Sequence, residues 1–385
     1  MCRFLILFVA SFLFISCAEQ VKMEDRYVLQ PVDNYLEYAI DDETVVPLYN
    51  LYIFKDNGED FLTFSNPLAR TILIYNLHSG ELVKKLSFER EGPNGVGGHI
   101  FGYYIKDFNH IFLPSAITTQ IYLTDTTGVV KQKIDFSKTE EGLKPNKAYY
   151  ENISFSQLAF MGNSLYIPQT LNNKLGEKMI EESPIGILVD TITGKVTGFP
   201  MHYPHVIPYR NRLEVIGGMM EACQIYNGKN LIIAFNKDEK VYIVDELGQA
   251  KSFQAKSKYL SELKFPKAPD DFSLKLKKTN ETGEYRNIFY DKYRKVYYRF
   301  VALETELDPN ENFQKLLHSG RADFSIMILD ENFNVLGETK FPPFTYVPHI
   351  CFINEDGLYL STSHFKREDY SDDWLRFQRI ELVKK

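Results

Sequence analysis

Cysteine is scarce in this chain of 385 residues: there are four, and two of them fall within the first 17 positions. The other two, Cys223 and Cys351, each sit inside an apolar strand-like run. They are therefore expected as buried free thiols, and neither a disulfide nor a thiolate metal site is expected. Long apolar runs are scarce too. The stretch from Phe4 to Ile15 is too short to span a bilayer as a helix, which takes about 20 residues, and no second run approaches that length. Catalytic signatures are missing: there is no Gly-x-Ser-x-Gly elbow, no His-Glu-x-x-His, no calcium-binding loop and no Walker phosphate loop. A net charge of −7 leaves no cation excess, which argues against wrapping nucleic acid by neutralising phosphates.

What the chain does have begins with its first residues, MCRFLILFVASFLFISCAEQ. An early Arg3, an apolar core and Ser16-Cys17 make an export signal. The pattern resembles a bacterial lipoprotein signal, which implies cleavage before Cys17 and a lipid on its sulfur. The alternative is an ordinary soluble exported protein. Ala18, standing where an Asp would favour retention at the inner membrane, implies the outer membrane. Residues 1–16 are thus expected as the signal peptide, 17–45 as a tether with a possible strand at Arg26 to Leu29, and 46–385 as the folded body.

Aromatic residues are plentiful, with 25 Tyr and 29 Phe, as suits a β-rich body. Around Lys229 to Phe253 the sequence reads as a strand (Leu231 to Phe235), a polar loop, a strand (Val241 to Val244), a tight turn at Asp245 to Gly248, and a third strand. The same unit recurs with its turn framed by Asn76 and Gly80, Asp125 and Gly128, Asp190 and Gly194, and Asp330 and Asn334; a sixth copy near the end lacks the turn residues. An Asp or Asn followed by Gly or Asn in the left-handed region meets the demand of a tight hairpin. One further apolar run precedes each copy, among them LYNLYIFKD, EYRNIFYDKY and HICFINEDG. Four strands recurring about every 50 to 65 residues predict an all-β, six-bladed β-propeller of four-stranded antiparallel blades. The sixth copy runs short of an outer strand, and Arg26 to Leu29 is expected to supply it; the competing reading bends Glu381 to Lys385 back instead.

Parity then sorts the connections. In a meander of strands a to d, the a–b and c–d turns share one face, while b–c connections and crossings between blades share the other. Every long insertion falls in the second class, at 169–183, 304–322, 364–373, 137–150, 201–216 and 255–283, so function is expected on that face. Within 304–322 a short helix capped by Asp308 and ended by Gly320 is expected to cover part of it. Two Pro-His crossings put His205 and His349 near the axis, where Glu221 could join them to hold a metal or act as a base. The plainer reading has these histidines bonded to carbonyls. Arg90 stands in a glycine-rich crossing as an anion contact. Tyr149, Tyr150, Tyr203, Tyr209, Arg210, Arg212 and Arg286 complete a set of rings and guanidinium groups suited to sugar, peptide or anionic ligands.

With EGPNGVG after the first repeat and FYDKYRKVYYRF at 289–300, the chain resembles a family of Bacteroidota lipoproteins that has no assigned function and is related to six-bladed propellers. The resemblance implies the fold and the lipid anchor and assigns no site residue. The expected function is binding of a glycan fragment or peptide without catalysis and without a cofactor. A metal-assisted hydrolase or lyase on the same face, and a scaffold with an envelope protein partner, stand as the alternatives.

Overall fold

The computed structural model describes residues 25–44, 49–66, 69–147, 156–169, 183–203, 214–217 and 221–385. Among them, 24 strands form six four-stranded antiparallel sheets. Blade 1 is β2 (Tyr49–Asp56), β3 (Glu59–Asn66), β4 (Thr71–Asn76) and β5 (Leu82–Ser87). Blade 2 is β6 (Tyr104–Asp107), β7 (His110–Pro114), β8 (Gln120–Thr124) and β9 (Gln132–Asp135). Blade 3 is β10 (Ala159–Met161), β11 (Ser164–Pro168), β12 (Gly186–Asp190) and β13 (Val196–Gly198). Blade 4 is β14 (Ala222–Tyr226), β15 (Leu231–Phe235), β16 (Lys240–Val244) and β17 (Ala250–Gln254). Blade 5 is β18 (Glu284–Asp291), β19 (Val296–Ala302), β20 (Phe324–Asp330) and β21 (Val335–Lys340). Blade 6 is β22 (Val347–Ile353), β23 (Leu358–Ser361) and β24 (Trp374–Lys384), with β1 (Tyr27–Ala39) as its outer strand.

A blade cannot bury two faces alone, so stacking around an axis supplies the core. Apolar clusters fill each of the six seams. Phe54 and Ile74 meet Ile105 and Ile111 between blades 1 and 2, and Tyr38 and Phe377 meet Leu62 and Leu73 between blades 6 and 1. Burial is complete along second strands such as β15 and β19 and falls away at outer strands such as β5 and β17. Each fully buried Ile or Leu contributes about 1.5–3 kcal/mol.

The recurring turns share one mechanism. The Oδ1 of Asn76, Asp190, Asp245 and Asp330 each accepts two backbone N–H groups of its own turn, and that of Asp125 accepts the N–H of Thr127. Gly80, Gly128, Gly194 and Gly248 then take the left-handed conformation. In blade 5 that role belongs to Phe333 (φ 60°) and not to Asn334. Its ring packs on Tyr297 and Phe253 between blades 4 and 5, and this burial offsets the backbone cost of a non-glycine residue there.

The N-terminal strand closes the ring, and it is longer than Arg26 to Leu29. β1 pairs antiparallel with β24 from Tyr27↔Lys384 to Ala39↔Trp374 with one bulge. It also ties both neighbouring blades. Arg26 N–H donates to the Leu336 carbonyl and Leu29 N–H to Thr339 Oγ1, each at 2.9 Å. On the other side the Tyr38 hydroxyl donates to Leu77 O at 2.8 Å, and that of Tyr75 to Ala39 O at 2.7 Å. Gly337 permits the close approach, because a Cβ there would lie 2.0 Å from Tyr27 O.

Among the described residues, two helices rise from the long connections. The insertion at 255–283 contains α1 (Phe272–Glu281), capped by Asp271, a helix not expected from the sequence. In 304–322 the helix α2 (Phe313–His318) starts later than expected: Asn312 caps it, while Asp308 closes a separate turn before it. Leu307, Phe313, Leu316 and Ala322, together with Leu276, give the two helices a small core of their own. Among the described residues no helix is long and apolar enough to cross a membrane.

Candidate functional site

The innermost strands of all six blades surround an axial cavity of about 400 Å³, with Leu317 and His318 of α2 at its wall. An innermost strand leaves one edge unpaired, so backbone polar groups as well as side chains face this space. The blade connectivity sets its direction. Residues at or just before the start of the inner strands, such as Asn50, Ser156, Arg286 and His349, lie toward the elaborated face, and residues near their ends, such as Lys55, Lys106 and Phe289, lie toward the tight turns.

Three adjacent blades break the inner ladder at the same level. Pairing slips between Tyr49 and Tyr52 in blade 1, between Tyr285 and Ile288 in blade 5, and between Val347 and Cys351 in blade 6. Bulges of this kind re-aim side chains and are frequent beside functional sites. They contain Asn50, held in the left-handed region (φ 51°), Arg286 with Asn287, and His349, all of which line the cavity.

Behind Arg286 lies a buried charged cluster. Glu284 accepts from Arg286 Nη1 at 2.7 Å and from Arg321 Nη2, and Lys237 Nζ stands 3.8 Å from its other oxygen. Arg286 also reaches Glu221 at 3.4 Å, and Asn236 donates to Glu284 at 3.3 Å. Burial pushes the Glu284 carboxyl up, but Arg321, Arg286 and Lys237 outweigh it and hold it down at about 2. Burial also lowers Lys237, a side chain without solvent exposure that donates to Gly283 O at 2.9 Å. His349 is pushed down to about 3, first by burial and then by the charges of Arg286 and His318, so it faces the cavity as a neutral imidazole.

Of the residues singled out from sequence, Arg286 and His349 line the cavity, and Glu221 adjoins it as an ion-pair partner of Arg286. Tyr203 does not line it: the ring is buried against Phe235 between blades 3 and 4, and its hydroxyl donates to Gln169 O at 2.6 Å. Arg90 projects into solvent from its crossing, beside Glu91, away from the cavity wall. Cys17, Tyr149, Tyr150, His205, Tyr209, Arg210 and Arg212 lie outside the described residues. Among the described residues no group of three His, Cys, Asp or Glu side chains could hold a metal ion. Cys223 and Cys351 are buried free thiols, as expected, and burial is the main cause that raises both.

Asn50, Asn287, His318, Lys237 and Arg321 were not singled out from sequence. A signal did exist for the first two. In Tyr49-Asn50-Leu51 and Tyr285-Arg286-Asn287, as in Val347-Pro348-His349, polar or ring-constrained residues interrupt an apolar inner strand near its start. The same interruption in three repeats marks the bulges.

Comparison with known proteins agrees with this architecture. No curated protein matches the sequence. A crystal structure from Bacteroides vulgatus, of a member of the DUF4221 family, superposes with a TM-score of 0.80 at 23% identity, covering 94% of this chain and 99% of that one. A protein from Bacteroides fragilis described as exported superposes at 0.52 with 10% identity, over 92% and 96% of the two chains. At these identities the likeness concerns the fold. The sequence profile of the family described as "Domain of unknown function (DUF4221)" matches residues 27–340, from the closing strand through the fifth blade, and the chain therefore belongs to that family.

Proposed function

We propose that this protein is an exported, lipid-anchored propeller that binds a glycan fragment or peptide in its axial cavity without transforming it. The carrying observation is the run of three bulged inner strands, which turn Asn50, Arg286, Asn287 and His349 toward one cavity beneath α2. A purely structural propeller has no need to interrupt three neighbouring ladders at one level. The volume falls within the range of sites for small molecules, roughly 300–1,000 Å³. Anchoring at the outer membrane through Cys17 rests on the signal-like start and on Ala18.

Two measurements test this reading. The mass of the N-terminal peptide from membrane fractions is expected to carry a lipid on Cys17, and an unmodified Cys17 overturns the anchor. A thermal-shift screen of oligosaccharides and short peptides is expected to find compounds that stabilise the native chain but not a His349→Leu, Asn287→Leu variant. Equal stabilisation of both proteins would place the site elsewhere.

A further inference from the structure

The start of the N-terminal strand has a fixed place in the ring. β1 is the outer strand of blade 6 and pairs antiparallel with β24, so Tyr27 lies beside Lys384 and Ala39 beside Trp374. In every other blade the outer strand is entered from the c–d turn. Tyr27 therefore stands where blade 6 would have that turn, and the chain before it leaves the ring at the level of the other five. Asp25 is at this end, with its carboxylate 3.6 Å from Lys385 Nζ. Cys17 is eight positions earlier, so its Cα lies within about 29 Å of Asp25 however the chain runs. Trp374, at the other end of the 11-residue β24, lies about 33 Å from Lys384. The tether is too short to carry Cys17 to the elaborated end.

The same turns carry a second feature. From blade 1 to blade 4, each c–d turn presents a large apolar side chain to solvent, at its tip or just past it: Leu82, Val129, Ile192 and Leu247. Ile192 and Leu247, at 71% and 77%, are the most exposed large apolar side chains among the described residues. Their turns use the backbone N–H of each, which Asp190 and Asp245 accept, and make no use of the side chains. A single exposed apolar residue is ordinary on a protein surface, but these four recur at one level of the ring, the level from which the tether leaves. Polar neighbours such as Thr191, Thr193 and Glu246 separate them. Separate tips do not make the contiguous apolar patch of a stable protein interface, whereas a bilayer takes each one independently at its interface.

We infer that the ring of c–d turns is the membrane-facing side of this protein, and that Ile192 and Leu247 enter the bilayer interface when Cys17 carries its lipid. The helices α1 and α2 and the end of the cavity at Arg286 and His349 then face away from the bilayer. This rests on the lipid-anchor part of the proposed function and adds the orientation and the residues in contact. Withdrawing one Leu or Ile side chain from water favours the contact roughly tenfold, and the lipid supplies the high local concentration that lets so small a preference act. Glu246 and Glu331 stand on the same turns, so the surface that fits is zwitterionic lipid, without strong negative charge.

Tryptophan quenching tests the orientation. The full chain, expressed with its export signal and purified from membranes, is placed in phosphatidylcholine vesicles with bromine on the acyl chains, which quenches a tryptophan that enters them. The single tryptophan of the native chain, Trp374, is exposed at the opposite end and serves as the control. Its emission is expected to be the same in brominated and ordinary vesicles. Leu247→Trp and Ile192→Trp, each combined with Trp374→Phe, are expected to lose emission in the brominated vesicles. Either tip decides the matter if the other variant fails to fold. Quenching of Trp374, or of neither tip, overturns the inference, and a lipid found on Cys17 by mass then leaves the anchor standing. An unmodified Cys17 overturns the anchor and the inference together.

Discussion

Replacing Arg299 by Met tests what holds blades 4 and 5 together. Arg299 is fully buried in β19 and, among the described residues, its hydrogen bonds go to backbone carbonyls and not to a carboxylate. Its guanidinium stacks 3.7 Å from the Tyr285 ring centre and donates to the carbonyls of Glu239 (2.9 Å), Ala255 (3.0 Å) and Asp238 (2.6 Å), with a longer bond to Lys240. Burial brings it down to about 10, so it remains charged at neutral pH. Met fills most of the volume, but the carbonyls stay. Those of Asp238, half-buried, and Ala255, buried, lie outside the strand ladders and are left without their donor. Hydrogen bonds to a charged group are worth about 1.5–3 kcal/mol each, while the relief of no longer burying a cation opposes their loss. The expected net cost is about 4 kcal/mol, as for breaking a buried charged network. An unfolding entropy of about 2.1 cal/mol/K per residue gives roughly 0.8 kcal/mol/K for this chain, so the melting temperature should fall by about 5 °C. Differential scanning calorimetry of the native chain, Arg299→Met and Arg299→Lys measures it, with Lys expected between the two. A fall below about 1 °C for Met, at unchanged unfolding enthalpy, would refute the reasoning, because it would mean that water or rearrangement satisfies the carbonyls at no cost.

Other expectations follow from the same structure. Gly337→Ala drives a Cβ into Tyr27 O, so it should cost about 1–3 kcal/mol and release the N-terminal strand to early proteolysis; a protected N-terminus would deny β1 its role in closure. Acid should destabilise the fold in two stages. His349 and His364 have folded pKa values lowered to about 3 and about 4, so the stability they contribute is present above about 6.5 and is lost as pH falls below it, by at most about 1.4 kcal/mol per pH unit for each. Glu284, held at about 2, adds a loss below about 4.5, and a His349→Gln, His364→Gln variant should flatten the first stage of a melting-temperature profile and leave the second. Phe333→Gly relieves the left-handed backbone but empties a seam between blades, so it should destabilise by about 2–4 kcal/mol; a stabilised variant in chemical denaturation would show that the backbone term dominates.

Much of the fold was written in short-range pattern. Strand content, the Asp-framed turns and the count of six blades follow from period-two apolar runs and from residues that accept their own turn's N–H groups, both local requirements. The closing strand was legible because the sixth repeat ran short and one unassigned strand remained. The site was legible only in part. Arg286 and His349 stood out as polar residues near the axis, but Tyr203 looked equivalent to them. Its hydroxyl finds Gln169 O in the seam, a contact 34 residues away that no local pattern reports. Asn50 and Asn287 were passed over because a strand reading assigns each residue to a face by alternation. A bulge breaks that alternation, and whether one forms depends on the partner strand's register.

By itself, then, the sequence determined that this is a ring of four-stranded blades with elaborated connections on one face, because alternation and turn chemistry are properties of neighbours in the chain. Only the tertiary structure decided which charged side chains meet beside the cavity. Glu284, Arg286, Arg321, Lys237 and Glu221 come from a span of 101 positions, 221 to 321. They meet because blades 4 and 5 stack around an axis, which brings side chains far apart in the chain into one charged cluster beside the cavity.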